Sequence, residues 1–286
     1  MRDKLDLLIF FGITYSIIGC ATSTTTLQSA RTLEPKEIQI TTAVSVPVST
    51  RMVGAVIDTA EATAKEINEA AHGNQELTTE EARKGVESAA ALALFTPSAY
   101  PEALFRIGIA DRFDAGLKLS YSLIKPELKF QYLRIEDGID ASVFMGYAFH
   151  FDIGPSIAAK VYDIFDSLEL ADYSRHDLDF GLLFGKEWKD IVSLYWGVRY
   201  LLSFINVDFG FKQIKYIDGE AIPDLGVHEL MHNAGAVIGV MAGYKYVFVN
   251  VELTLLYCIF KPEIIEREMD LSGMIIAPTL GITTRF

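Results

Sequence analysis

The chain's last stretch, Ser272–Phe286, reads SGMIIAPTLGITTRF. Met274, Ile276, Leu280, Ile282 and Phe286 share one parity, and Ala277, Thr279, Gly281, Thr283 and Arg285 share the other. Successive side chains of a strand point to opposite faces, so this split predicts a strand with one apolar wall, closed by an aromatic residue. At 50% hydrophobic, 12% aromatic and 22% charged, with mean hydropathy +0.25, the whole chain is unusually apolar for its charge. No apolar run of helical membrane-spanning length follows residue 20, so any membrane passage is made by strands.

Working outward, the same alternation predicts strands at Glu37–Val48, Leu104–Ala110, Ala115–Leu123, Glu127–Leu133, Ile139–Phe151, Asp177–Gly185, Ile191–Ile205, Asn233–Ala242 and Tyr246–Cys258. With the last stretch this makes about ten, an even number, as a single-chain bacterial barrel requires. The connections Asp111–Asp114, Arg134–Gly138, Lys186–Asp190 and Gly243–Lys245 are short, and in a ten-strand count all fall at one end with both termini. The long ones, Asp152–His176, Asn206–His232 and Ile259–Leu271, fall at the other, where only Ile124–Pro126 is short. The terminal strand and this asymmetry resemble bacterial outer-membrane β-barrel proteins. The resemblance covers residues 36–286 and implies an up-and-down antiparallel transmembrane barrel. It further implies residence among outer-membrane lipid and recognition of the strand ending in Phe286 by barrel-assembly machinery. No specific family motif accompanies it.

Residues 50–97 break the period of two. Val53, Val56, Ala60, Ala64, Ile67 and Ala71 recur at helical spacing, and Thr78 with Glu81 forms a capping box before a second stripe. An inserted α-helical hairpin is expected there, as a lid on the barrel mouth or a plug in its lumen.

Residues 1–19 read as a signal peptide with an apolar core at Leu7–Ile18. Ile17-Ile18-Gly19-Cys20 resembles the lipobox of bacterial lipoproteins, which implies covalent lipid on Cys20 as the only added group. Residues 20–35, rich in Ser and Thr, read as a flexible tether from that anchor, placing the N-terminus with the C-terminus on the periplasmic side. A net charge of −13 argues against a nucleic-acid partner.

Which face points inward follows from what shares it. Arg106, Lys118, Glu127, Lys129, Asp140, Asp179, Arg199, Glu252 and Arg285 lie opposite the apolar set, with Gly108, Gly116, Gly146, Gly181, Gly185, Gly197 and Gly281. Repeated glycine suits a narrow curved interior, so these charges are expected to form a polar network in the lumen. A soluble barrel would instead turn them outward. Tyr147, Phe149, Trp196, Tyr200, Phe204 and Tyr257, with Tyr246 and Phe286 at the other end, have the spacing of two aromatic girdles.

One stretch has catalytic form. His228-Glu229-Leu230-Met231-His232 matches H-E-x-x-H, which on a helix sets two histidines on one zinc and Glu229 on its water. Gly235 extends it, but Ile238 stands where a third histidine is expected, and the run continues as a strand. Three functions remain open: a structural or surface-interaction barrel acting through its loops, a narrow pore, and a zinc metallopeptidase. The first is favoured, with no enzyme activity and His228 and His232 only weak metal candidates.

Overall fold

The computed structural model describes residues 23–50, 99–135, 138–151, 168–189, 191–211, 216–217, 220–221, 227–264, 267–268 and 270–286. Ten antiparallel strands carry the fold: β1 (Ile38–Ser45), β2 (Tyr100–Ala110), β3 (Phe113–Ser120), β4 (Leu123–Leu133), β5 (Asp140–His150), β6 (Leu168–Trp188), β7 (Val192–Phe211), β8 (Val227–Tyr244), β9 (Val247–Ile259) and β10 (Gly273–Arg285). Each pairs with its neighbour in sequence. β1 pairs with β10 from Gln39 opposite Arg285 to Ser45 opposite Thr279, which closes the barrel. The amide of Ile38 donates to the Phe286 carbonyl, and that of Phe286 to the Ile38 carbonyl, so the closing edges meet up to the last residue. Closure pairs every strand on both sides within the barrel wall, the condition a sheet must meet to stand in hydrocarbon.

The expected fold class needs one correction. Among the described residues every element is a strand and there is no helix, so the described fold is all-β and no α-helical hairpin is part of it. Residues 51–98, where that hairpin was expected, lie outside the described residues. The strands themselves run longer than the alternation suggested, chiefly β6 at 21 residues and β7 at 20, while β3 has only 8.

β9 shows why the sheet curls as it does. Val247, Val249, Val251, Leu253, Leu255, Tyr257 and Ile259 are exposed on the outside, while Phe248, Asn250, Glu252, Thr254, Leu256 and Cys258 are buried inside. On β10 the outward residues Met274, Ile276, Leu280 and Ile282 are exposed and Ala277, Thr279 and Thr283 are enclosed, the parity read from the sequence. The molecule is thus inverted relative to a soluble barrel: apolar groups cover the outside and charge fills the centre. Tyr244, Tyr246, Trp188 and Phe286 stand exposed around the short-turn end. Phe149, Tyr200, Phe204 and Tyr257 stand exposed toward the other. Glycine is required where rings cross the lumen: a Cβ on Gly181 would lie 2.2 Å from the Phe144 ring, and one on Gly239 2.2 Å from that of Tyr195.

For a wall that faces hydrocarbon, Val251→Arg should lower the stability of the barrel in lipid vesicles by about 2–4 kcal/mol, read as a drop in the denaturant midpoint. Val251 is 56% exposed midway along β9. In a wall facing water the same change would be close to neutral.

Candidate functional site: a lumen filled by the chain's own N-terminal segment

The chain crosses the lumen before it enters the wall. Ser23 through Ala30, Thr32 and Leu33 are buried, each at most 6% exposed, and only Arg31 of this run is half-buried. The segment expected to be a flexible tether is therefore, over residues 23–33, a strap held inside the barrel. Its hydroxyls and backbone amides supply hydrogen bonds that the enclosed charges require.

Reading from the short-turn end, Lys36 donates its amide to the Gly108 carbonyl at 2.8 Å. A Cβ on Gly108 would lie 1.8 Å from the Glu34 carbonyl oxygen, so only glycine lets the strap pass there. The amide of Leu33 donates to Asp114 at 3.2 Å, and Thr32 gives its amide and hydroxyl to Gln131 Oε1 at 3.1 and 2.8 Å. Lys129 donates to the carbonyls of Ser29 and Arg31 at 3.2 and 3.1 Å. Ala30 packs among Phe144, Leu183, Tyr195 and Val237.

In the middle, Glu252 gathers five donors, one of them the hydroxyl of Thr254 on its own strand, 3.2 Å from Oε1. The Thr26 amide reaches Oε1 at 2.7 Å, while Oε2 takes the Thr26 hydroxyl and the Leu27 amide at 2.6 Å and the Tyr195 hydroxyl at 2.8 Å. Two successive amides aimed at one carboxylate need a local left-handed bend, and Leu27 has φ of 52°. Further along, Lys118 donates to the Thr25 carbonyl at 2.6 Å, and the Thr25 hydroxyl donates to Glu102. At the far end the Thr24 and Ser45 hydroxyls lie 3.4 Å apart, and Arg199 donates to the carbonyls of Ser23 and Thr24.

Behind the strap runs a chain of alternating charge. Lys129 bonds Asp114 at 3.1 Å, Asp114 bonds Arg106, and Arg106 bonds Glu127 at 2.9 Å. Glu127 bonds Lys125 at 2.8 Å, Lys125 bonds Asp179 at 2.7 Å, and Asp179 bonds Arg199 at 2.7 Å. Both terminal cations, Lys129 and Arg199, spend their remaining donors on strap carbonyls. With Lys118, Glu102 and Glu252 added, the middle of the lumen holds as many cations as anions. A buried charge is tolerable only when paired and hydrogen-bonded, and this arrangement meets that condition.

Eight of the nine expected lumen residues are buried on the inner face: Arg106, Lys118, Glu127, Lys129, Asp140, Asp179, Arg199 and Glu252. Asp140 bonds Gln131 rather than a cation, and Arg285 lies half-buried at the short-turn end with Glu187, 3.2 Å away. Sequence reasoning missed Glu102 and Lys125, because it began β2 four residues late and read Lys125 as part of a turn. Both share the inward parity of their strands. It also missed Arg175 and Asp177 toward the long-loop end, though it placed His150 on the inner face: Asp177 holds His150 and Arg175, each at 2.8 Å, and Arg175 reaches the Ser203 hydroxyl at 2.9 Å.

The H-E-x-x-H run is strand, inside β8. Four residues along a strand span about 13 Å, too far for two histidines to share one zinc ion. His228 contacts Asn206 at 3.3 Å, and His232 takes the Tyr200 hydroxyl at 2.6 Å, both on the outer face. No group of three or more His, Cys, Asp or Glu among the described residues is arranged around a metal position. The zinc-site alternative fails on this geometry. Cys20 lies outside the described residues; Cys258 is a free thiol buried on the inner face.

No family model matches the chain, and no curated protein is similar to it in sequence. Among solved structures it is similar to bacterial outer-membrane barrels. The outer membrane protease OmpT of Escherichia coli shares 10% identity over 90% of this chain and 98% of its own, with a TM-score of 0.36. A major outer membrane protein of Thermus thermophilus shares 9% over 87% and 99%, with a TM-score of 0.32. Neisserial surface protein A shares 11% over 87% and 94%, also at 0.32. At TM-scores this low, nothing about activity, ligand or partner passes from them to this chain.

Proposed function

We propose that this chain is a bacterial outer-membrane barrel that works as a surface-interaction or structural protein through its long-loop face, and that its lumen is not a passage. The strap carries this reading. A pore needs a continuous water path, and here Ser23–Leu33 occupies the lumen from the short-turn end to the level of Arg199, with Ser23, Thr25, Thr26 and Thr32 bonded to the wall. The balanced charge behind it suits a structural network better than a selectivity filter.

The wall supports both the membrane placement and the outward role. Nine to eleven residues per strand suffice to cross a bilayer at a tilt. β6 continues from Arg175 back to Leu168, beyond its last pairing with β5 at His176, with β7 still beside it. That is about 25 Å of extra strand on the long-loop side. This extension, three-stranded with β8 as far as Val207 and two-stranded beyond, holds the loops above the lipid, where a partner can reach them. Covalent lipid on Cys20 and delivery by barrel-assembly machinery through the strand ending in Phe286 complete the proposal.

The membrane placement is tested by fractionating cells that express the full chain. It should sediment with outer membrane and migrate on gels at two positions, one before and one after boiling. Recovery in the soluble fraction, with no shift on boiling, would overturn it.

A further inference from the structure

The strap has a direction, and from it we infer that the mature N-terminus emerges at the long-loop face, so that lipid on Cys20 lies in the outer leaflet, on the opposite side of the membrane from the C-terminus. The leaflet assignment rests on the lipoprotein reading above; the path of the chain does not.

The partners of the strap fix its direction. Going backward from Lys36, they pass from Gly108 and Asp114 beside the β2–β3 turn to Glu252 midway up β9. They then reach Glu102, and finally Ser45, the last residue of β1. Ser45 stands seven residues above Ile38 at the short-turn rim. At about 3.3 Å per residue and a tilt near 40°, that is about 18 Å along the barrel axis. The strap thus climbs from the short-turn rim to the level of Ser45, while the wall beside it continues up to Thr50, whose amide donates to the Met274 carbonyl of β10 at 2.8 Å.

Cys20 precedes Ser23 by three residues, a reach of about 10 Å when fully extended. That is too short to return to the short-turn rim, and the strap already fills the way down. Upward the distance is sufficient at β3, where Lys118, 3.4 Å from the Ser23 hydroxyl, stands two residues below the strand's end at Ser120. Diacylglycerol must also enter lipid, and the lumen around Ser23 offers charge rather than hydrocarbon: Arg199, Lys118 and Asp179. The leaflet at the long-loop end is the one within reach. On this path the two termini stand at opposite faces, where the sequence led to the expectation of both on the periplasmic side.

The test uses the full chain in cells with an outer membrane. A short epitope is inserted between Ala21 and Thr22, and in a second protein between Tyr244 and Tyr246, in the β8–β9 turn. Antibody should label the first equally in intact and permeabilised cells, and the second at least tenfold more after permeabilisation. Labelling of the first only after permeabilisation overturns the inference. Because an inserted epitope could itself draw the strap out, Thr24→Cys with Ser45→Cys is made without it. These positions should form a disulfide in the folded protein, and a barrel that folds without that link also overturns the path. The mass of the N-terminal peptide, taken separately, reads the lipid. An unmodified Cys20 would remove the leaflet assignment and the lipoprotein reading while leaving the chain path standing.

Discussion

Deleting Ser23–Leu33 should turn a silent barrel into a conducting one. In planar bilayers the full protein is expected to show no steady current steps, and the shortened protein, with Glu34 following the processed terminus, stepwise currents in nearly every insertion. The wall does not depend on the strap, since all ten strands pair with one another through their backbones. The charges do. Lys118, Lys129 and Arg199 would lose carbonyl acceptors, and Glu252 would lose the amides of Thr26 and Leu27. Each orphaned group costs about 1–3 kcal/mol unless water replaces the partner, so the vacated channel must fill with water. The lining left behind is balanced in sign, so cations and anions should pass with similar ease. Glu252→Leu alone should give a milder result, brief openings, because Gln131, Asp114 and Arg199 still hold the two ends. Equal silence from the full and shortened proteins would mean that something other than the strap closes the lumen. Equal conduction would mean that the strap does not close it.

Much of this was legible in the chain, and what was not has a physical reason. The wall declares itself because each side chain on it meets one of two very different media. Val249 and Val251 face outward while Asn250 and Glu252 face inward, and this two-residue period survives in the letters. The lumen residues were legible for the same reason, and Glu102 and Lys125 were lost only where strand ends were set too short. The strap left no such mark. An extended segment surrounded by charge on all sides needs no alternation, only short polar side chains, and Ser23–Thr26 reads the same whether it lies in water or in a polar lumen. Its role is specified by partners from 21 to 226 residues away, such as Ser45, Gln131, Arg199 and Glu252. The H-E-x-x-H run misled in the opposite way, since its letters are informative only on a helix and β8 spreads them along a strand.

The second large effect is expected at Asp179. Its carboxylate takes Arg199 Nε at 2.8 Å on one oxygen, and Arg199 Nη2 and Lys125 Nζ, each at 2.7 Å, on the other. All three side chains are at most 2% exposed. Asp179→Ala leaves two cations facing each other with one counter-charge fewer, and breaking a buried pair in this way costs about 3–5 kcal/mol. The loss should be read as a lowered denaturant midpoint in lipid vesicles. Asp111→Ala, which breaks the exposed pair with Arg134 at 3.2 Å, should cost about 0–1 kcal/mol and serves as the comparison. Adding Lys125→Met to Asp179→Ala removes one of the stranded cations and should recover part of the loss, because Glu127 keeps Arg106 as a partner at 2.9 Å. If Asp179→Ala instead costs no more than Asp111→Ala, then water must reach Arg199 and Lys125 to solvate them. A lumen wet enough to do that cannot be closed, so the same measurement bears on the strap from the other side.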